Sequence, residues 1–396
     1  MSCTSCRSKL SQNYINFGKN YKCSDLLMSP NQLKVYKKHP ISLAFCSYCH
    51  LVQLRHSIKF KNIVPKISWI KNKEEDSYHA KFINHLIKKQ KLKKKIKILA
   101  ISSYDQSYVN ELKKKGFRNI KFLNLKNDLG VKSQHCERQE VIQNFLDSER
   151  STYFLKKIKI KFDLIICSKL LEHSQSVKKV LSFLSNMLGP CGQILIDVPD
   201  SFKSLKQGNI SMVWEEHKSY FTYKTLVNTV RLNDLKKILH KKFIFKQEDN
   251  LVFIIKKDIS TKNGIFKEKS IFFDFKKKQE NNLYKLLQII KKFKKKNYNF
   301  LIFGGGHNSI AFLNFYKLKK YINFIIDDDK RKKNLIIAGT KIKINNFDFV
   351  KKNFNKIIFF LGTNIKSEKI IEKKIKKIKE TKVLSIYPDS RLFYNK

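Results

Sequence analysis

In Ile96-Lys97-Ile98-Leu99-Ala100-Ile101, the chain begins an alternation of short apolar runs and helix-length segments. The run has the length of a buried strand, and the segment Tyr104–Lys115 after it is closed by Gly116, a residue typical of helix ends. Strands separated by helices need crossover connections, so this pattern predicts a parallel sheet with helices on both faces. Further strands are predicted at Ile120–Leu125, Phe162–Cys167 and Gln193–Val198.

Two more runs, Phe243–Gln247 and Leu251–Ile255, flank Glu248-Asp249-Asn250 and predict an antiparallel hairpin. A mostly parallel sheet that closes on such a hairpin is the outline of a class I methyltransferase domain. After a Lys-rich helix predicted at Asn282–Lys296, the alternation restarts and predicts a second, smaller, Rossmann-like α/β domain. Its predicted elements are the strand Phe300–Phe303, the turn Gly304-Gly305-Gly306, the helix Ser309–Leu318 and the strands Ile322–Asp327, Lys356–Leu361 and Val383–Ile386.

The length of 396 residues exceeds one ordinary core, which predicts two or three domains. Residues 1–70 are turn-rich and contain cysteines, and the two α/β units follow them. The fold class is therefore α/β with a small N-terminal module, and the predicted domains are residues 1–70, 71–260 and 261–396.

The net charge of +51 raises the possibility of a nucleic-acid partner, because clustered basic residues bind phosphates. Only eight of the 83 basic residues are Arg, and the Lys residues are spread from end to end. Because Arg is favoured for phosphate and base contacts, we expect solvated faces and no specific nucleic-acid partner. No apolar run approaches the roughly 20 residues of a membrane span and the N-terminus lacks a signal peptide, so we expect a cytoplasmic protein without membrane insertion. Nothing in the sequence predicts the oligomeric state.

Two Cys-x-x-Cys turns give the strongest local signal. Each of the pairs Cys3/Cys6 and Cys46/Cys49 can present two thiolates to one ion, and together they complete the closed tetrahedral shell of a structural zinc site. The alternative is four reduced thiols. The 39 residues between the turns must fold back as part of the module.

A cluster of polar residues, Trp214–Thr222, follows the strand that ends near Asp197. Parallel α/β sheets bind ligands outside the carboxyl ends of their strands, and His217 beside Glu216 has the character of a general base there. His173 follows a neighbouring strand, so the two histidines are predicted to face one pocket. The alternative is a structural histidine with satisfied hydrogen bonds.

These residues identify a resemblance. The paired cysteine turns, Leu171-Glu172-His173, the Glu-His-x-x-Tyr-Phe stretch at Glu216–Phe221 and the segment Gly304–Asn314 resemble, over nearly the full chain, the nucleotide-sugar C-methyltransferases that modify deoxysugars. The resemblance implies a structural zinc, and methyl transfer from S-adenosyl-L-methionine (SAM) to a sugar-ring carbon next to a keto group. It implies His217 as the base that forms the enolate, assisted by Glu216 and His173. It further implies SAM contacts from Ser102, Tyr104, Asn124 and Ser168, and contacts to the nucleotide-sugar substrate from Tyr220, Gly304, Gly306 and Asp327.

The loop after the first predicted strand departs from the family pattern. SAM-binding domains usually carry glycines there, which let the backbone approach the cofactor, whereas this chain has Ile101-Ser102-Ser103-Tyr104-Asp105-Gln106. The next strand ends at Asn124 instead of an acidic residue, with Asp128 as a stand-in for the ribose contact. Two hypotheses remain: an active methyltransferase in polysaccharide biosynthesis, and a catalytically degenerate homologue that binds a sugar nucleotide or a partner protein. A basic nucleic-acid-binding protein or RNA methyltransferase would need the clustered Arg and aromatic surface that the sequence lacks.

Overall fold

The computed structural model describes residues 1–59, 62, 77–132, 136, 138–155, 160–258 and 264–395. The predicted domain boundaries at 70/71 and 260/261 lie outside these residues. The α/β class is confirmed: a small antiparallel sheet is followed by two larger sheets with helices between their strands.

The N-terminal module consists of antiparallel strands, and three of them belong to one four-stranded sheet. Its strands are Leu10–Asn20 (β1), Leu26–Leu27 (β2), His39–Cys46 (β3) and Val52–Leu54 (β4), with a 3₁₀ helix at Pro30–Val35. β3 lies between β1 and β4, which brings the two cysteine turns to the same end of the module.

The middle domain has a six-stranded sheet in the order β10-β11-β8-β7-β5-β6. Its strands and the short β9 are Ile98–Ala100 (β5), Ile120–Phe122 (β6), Phe162–Ser168 (β7), Leu188–Asp200 (β8), Ser219–Tyr220 (β9), Leu235–Phe243 (β10) and Asp249–Lys257 (β11). Its helices are Ser77–Gln90 (α1), Gln106–Lys114 (α2), Leu125–Leu129 (α3), Gln139–Asp147 (α4), Glu149–Leu155 (α5), Val177–Asn186 (α6), Phe202–Gln207 (α7) and Tyr223–Arg231 (α8). Short 3₁₀ helices occur at Ser103–Asp105, Leu171–His173 and Ile210–Met212.

The terminal hairpin of this sheet is confirmed, but the position predicted for its first strand is wrong. Residues 244–248 form the turn, and the strand is the preceding Lys-rich segment, β10. β10 lies at the edge of the sheet, where its lysines are partly exposed to solvent. An edge strand that is partly exposed to solvent can carry polar residues. Its sequence therefore lacks the continuous apolar run by which buried strands are recognised.

The C-terminal domain has a five-stranded parallel sheet in the order β15-β13-β12-β16-β17. Its elements are Ser270–Lys294 (α9), Asn299–Phe303 (β12), His307–Phe315 (α10), Ile322–Ile326 (β13), Ile336–Ile337 (β14), Ile344–Asn345 (β15), Phe347–Asn353 (α11), Ile357–Leu361 (β16), Glu368–Ile375 (α12) and Thr381–Ser385 (β17). Three 3₁₀ helices lie at Leu318–Lys320, Lys330–Lys332 and Ile365–Ser367. Within the described ranges, no helix is both long enough and apolar enough to cross a bilayer.

The N-terminal module contacts both other domains through backbone pairing. β9, which belongs to the middle domain in sequence, is the fourth strand of the module's sheet and pairs with β4. On the other side, β2 pairs with β14 of the C-terminal domain. The ring of Phe17 also stacks on that of Phe315, with centroids 5.0 Å apart. The module therefore holds the two larger domains in one arrangement.

We predict that Gly208→Ala destabilises the contact between α7 and α9. Gly208 ends α7 with φ +67°, and an added Cβ would lie 2.5 Å from the backbone nitrogen of Gln279 in α9. The left-handed conformation and the clash together should lower the free energy of unfolding by about 2–4 kcal/mol, measured by denaturant titration. The matched control is Gly130→Ala, where φ is +64° but no atom lies within 4 Å of the added Cβ. An equal loss in the two variants would contradict the packing argument.

Candidate active site

The four predicted cysteines come together at the end of the N-terminal module. The sulfur atoms of Cys3 and Cys49 are 3.6 Å apart, those of Cys6 and Cys46 are 3.5 Å apart, and all four lie within 4.8 Å of one another. A tetrahedral zinc with bonds of about 2.3 Å requires sulfur separations of about 3.8 Å. The backbone N–H of Ser5 also points at the Cys3 sulfur, at 3.4 Å. The residues present fit a closed, structural zinc site.

Contacts next to the cysteines hold the segment that carries His217. The Lys218 ammonium donates to the carbonyl oxygens of Leu54 and His56, at 2.5 and 3.2 Å, and the carbonyl of Lys218 accepts from the N–H of Leu54. The hydroxyls of Thr4 and Ser219 are 3.0 Å apart. The backbone on the C-terminal side of His217 is thus fixed by the residues around the zinc site.

A cavity of about 650 Å³ lies between the middle and C-terminal domains, which we call the cleft. His173, Glu216 and His217, the three residues predicted to be catalytic, all line it. The rings of His173 and His217 have centroids 4.7 Å apart, and the ring of Trp214 lies 4.9 Å from that of His217. Trp214 stacks on His307 of the C-terminal domain, with centroids 4.6 Å apart, so this aromatic pair joins the two walls.

Burial keeps the histidines of the cleft uncharged. It holds the pKa of His217 well below its usual range, and the nearby His173 and His307 lower it further. Burial also lowers the pKa values of His173 and His307 to about 4. The Nδ1 atom of His173 lies 3.0 Å from the carbonyl oxygen of Glu216, so Glu216 contacts this histidine through its backbone. Burial, followed by repulsion from Glu215, raises the pKa of the Glu216 carboxyl to about 8.

A second cavity, of about 520 Å³, lies at the carboxyl ends of β5 and β6. Ser102 and Asn124, predicted to contact SAM, both line it, and Tyr104 lines the cleft. Ser102 has φ −143° and ψ 173°, an extended conformation that any residue adopts, so the loop needs no glycine for its backbone geometry. The side chains of this loop leave the cavity open.

The buried carboxylate of Asp105 holds the loop that follows β5 in place. It accepts hydrogen bonds from the N–H groups of Ile101, Ser102 and Ser168, at 2.7 to 2.9 Å, and from the Ser168 hydroxyl at 2.5 Å. Burial raises the pKa of Asp105 to about 6. The fourth predicted SAM contact, Ser168, is therefore part of the support of the loop. Asp128 caps the next helix by accepting from the N–H of Asn124.

The four predicted substrate contacts do not all meet at the cleft. Gly306 lines it, at the start of α10. Gly304 has φ +104°, and the Asp327 carboxylate accepts from the N–H of Gly305 and binds the Lys332 ammonium, so these residues shape the glycine turn. The Tyr220 hydroxyl accepts from the N–H of Trp214 and donates to its carbonyl, which closes the loop before His217.

Several residues of the cleft were given no role by the sequence reasoning. Lys169 follows β7 and has φ +50°; its ammonium lies 2.8 Å from Asn250 Oδ1 and 3.6 Å from Asp197. The Tyr78 hydroxyl donates to the buried Asp197 carboxylate at 2.6 Å. Glu172, one residue before His173, also lines the cleft. In the sequence, only their position could have indicated a role: Lys169 and Glu172 follow the carboxyl end of a central strand, where parallel sheets bind ligands.

Sequence models of three protein families match the chain in order. They are a zinc binding domain at residues 3–63, a methyltransferase domain at residues 72–241 and a C-methyltransferase C-terminal domain at residues 246–388. No curated protein matches in sequence.

Several solved methyltransferase structures resemble the chain weakly. A SAM-dependent methyltransferase from Clostridium acetobutylicum is 14% identical with a TM-score of 0.34, over 47% of this chain and 93% of that one. The 1,6-didemethyltoxoflavin-N1-methyltransferase of Burkholderia thailandensis is 16% identical with a TM-score of 0.31, over 47% and 80%. An O-methyltransferase family protein from the same species is 10% identical with a TM-score of 0.30, over 47% and 59%. At these scores the structures add nothing to the family matches.

We predict that removing zinc loosens the segment around His217. Chelation should increase hydrogen exchange at the amides of Ser219 and Tyr220, because β4, their pairing partner, would lose its anchor. Exchange is measured by mass spectrometry, with the amides of β12 and β16 as the internal control.

The variant Lys218→Met provides a second arm, since it removes the two bonds to Leu54 and His56 and leaves the cysteines in place. It should loosen the same segment while one zinc per chain is retained. Unchanged exchange of this segment in the zinc-free protein would contradict the coupling.

Proposed function

We propose that this chain, which has the three-domain organisation of a SAM-dependent C-methyltransferase, methylates a ring carbon beside the keto group of a nucleotide-linked deoxysugar. The observation that carries the proposal is the meeting of His173, Glu216 and His217 in one cavity between the two α/β domains. The proposal includes a role in polysaccharide biosynthesis and a cytoplasmic location, as expected from the sequence.

The methyl donor would bind at the loop that follows β5. Ser102 and Asn124 line the cavity at this edge of the sheet, Tyr104 extends toward the cleft, and Ser168 supports the loop through Asp105. When bound, SAM supplies an electrophilic methyl group. The open cavity and the unstrained loop support a SAM site without glycines.

His217 would remove the proton next to the keto group. Such a C–H group is weakly acidic, so the base must lie within hydrogen-bond reach of it and be unprotonated. Burial keeps His217 neutral, and the rings of His173 and Trp214 pack beside it, with centroids 4.7 and 4.9 Å from that of His217. The bond between His173 and the Glu216 carbonyl fixes the orientation of His173 beside the base.

The C-terminal domain would hold the nucleotide end of the substrate. Gly306, His307 and Asn308 line the cleft at the first turn of α10, where free backbone N–H groups favour phosphate oxygens. Gly304 and Asp327 would act by shaping this turn, and Tyr220 by shaping the loop before His217.

The second candidate is a degenerate homologue that binds a sugar nucleotide without methyl transfer. The absent glycines favour it. The cavity beside Ser102 counts against it, because this space leaves room for the cofactor.

We predict that His217→Gln slows proton abstraction at the carbon beside the keto group by about 10²- to 10⁴-fold, the usual contribution of a general base. Deuterium incorporation from D₂O into a nucleoside-diphosphate 4-keto-6-deoxyhexose, followed by NMR against a protein-free control, measures this step directly. His240→Gln is the matched control, because His240 lies on the edge strand β10. Equal exchange rates in wild type and His217→Gln would rule out the assigned base.

The pH dependence of this exchange gives a separate prediction. The pKa of His217 is depressed below its ordinary value of 6.5, so the base stays neutral, and the rate should be maintained, as the pH falls through 6.5. The loss should begin only at lower pH. A half-maximal rate at about pH 6.5 would show a base with the ordinary histidine pKa, contrary to this account.

A further inference from the structure

Glu172 is a buried carboxyl that lines the cleft. It lies in the 3₁₀ helix Leu171–His173, directly after the central strand β7, and only 2% of its surface is exposed. Its Oε2 atom is buried and has no hydrogen-bond partner among the described residues. Buried polar atoms nearly always have partners, so this unpaired oxygen, on a residue that lines a ligand-sized cavity, indicates a bound group that completes it.

A second unpaired polar atom belongs to Trp214, another residue that lines the cavity. The indole N–H of Trp214 is buried without a partner in the described part of the chain, and the Trp214 ring lies 4.9 Å from that of His217. A ligand atom that accepts a hydrogen bond would satisfy this donor. The described walls of the cleft thus provide no acceptor for the Trp214 N–H group, which lies near the proposed base His217.

The charged groups around Glu172 favour its protonated form. Burial, the largest effect, and the nearby carboxylates of Asp197 on β8 and Glu248 in the hairpin turn together raise the pKa of Glu172 to about 8. Lys169 opposes this shift, but its ammonium also lies 2.8 Å from Asn250 Oδ1 and 3.6 Å from Asp197. Glu172 can therefore donate a hydrogen bond at neutral pH, in the way that an uncharged carboxylic acid serves ketosteroid isomerase.

We propose that Glu172 is a further catalytic residue, whose carboxyl O–H donates a hydrogen bond to the keto oxygen of the acceptor while His217 removes the neighbouring proton. The inference rests on the proposed function and deepens it. The proton moves from carbon to the His217 ring, the C–H electron pair forms the C=C bond, and the carbonyl π pair moves to oxygen. Glu172 keeps its proton and stabilises the negative charge on that oxygen.

The test compares Glu172→Gln, which keeps a donor of similar shape, with Glu172→Leu, which removes it. Deuterium exchange into the 4-keto-6-deoxyhexose probe should fall about 10²- to 10³-fold in Glu172→Leu and less than about 10-fold in Glu172→Gln. The wild-type rate should decline as the pH rises through about 8, because the carboxylate cannot donate, and this decline should disappear in Glu172→Gln. A residue with a purely structural role would not move the alkaline limb. Wild-type rates in Glu172→Leu, or an unchanged alkaline limb in Glu172→Gln, would overturn the proposal.

A substrate-free measurement separates this inference from the proposed function. The infrared difference spectrum of wild type minus Glu172→Gln at pH 7 should contain the C=O band of a protonated carboxyl. A carboxylate band there would overturn the inference whether or not the sugar reacts. If wild type does not exchange the probe but the protonated band is present, the proposed substrate is wrong while the donor role of Glu172 gains support.

Discussion

The pairing of β9 with β4 is the constraint on which the rest of the site depends. Ser219 and Tyr220 alone are too short to form a strand, and they are ordered by a sheet whose ends are tied to the four cysteines. His217 lies two residues before this strand, so its place in the cleft depends on contacts outside the middle domain. A zinc ion bound by the four thiolates would fix this sheet, and with it the segment that carries His217, without contacting a substrate.

The same module also sets the opposite wall. β2 pairs with β14, and Phe17 stacks on Phe315 beyond the glycine turn. Both walls are thus attached to the N-terminal module, and the Trp214–His307 stack joins them across the cleft. Burial at these walls is the main cause of the low pKa values of His173, His217 and His307. Burial is also the main cause that raises the pKa values of Glu172 and Glu216 to about 8.

Local patterns predicted much of this molecule. The spacing of Cys3, Cys6, Cys46 and Cys49 identified the metal cluster, and the alternation after Ile96 identified both α/β sheets. What the sequence missed depends on distant contacts: Lys218 bonds Leu54 from 164 residues away, and no local pattern encodes that pairing. The solvated face of β10 concealed a strand. The absent glycines raised the question of whether the cofactor has room at the loop after β5, and the cavity beside Ser102 is seen only in the folded chain. Glu172 belongs to the motif Leu171-Glu172-His173, but its unpaired oxygen is visible only in the folded chain.

Methyl transfer to carbon is the reaction that we propose for the cleft. The most direct measurement is incubation of the zinc-loaded protein with ¹³C-methyl-labelled SAM and a nucleoside-diphosphate 4-keto-6-deoxyhexose, followed by mass spectrometry and ¹³C NMR of the sugar product. The account predicts a product one methyl group heavier, with a labelled methyl resonance coupled to a ring carbon. A labelled methyl bonded to oxygen, or no labelled product from a protein that binds both ligands, would contradict it.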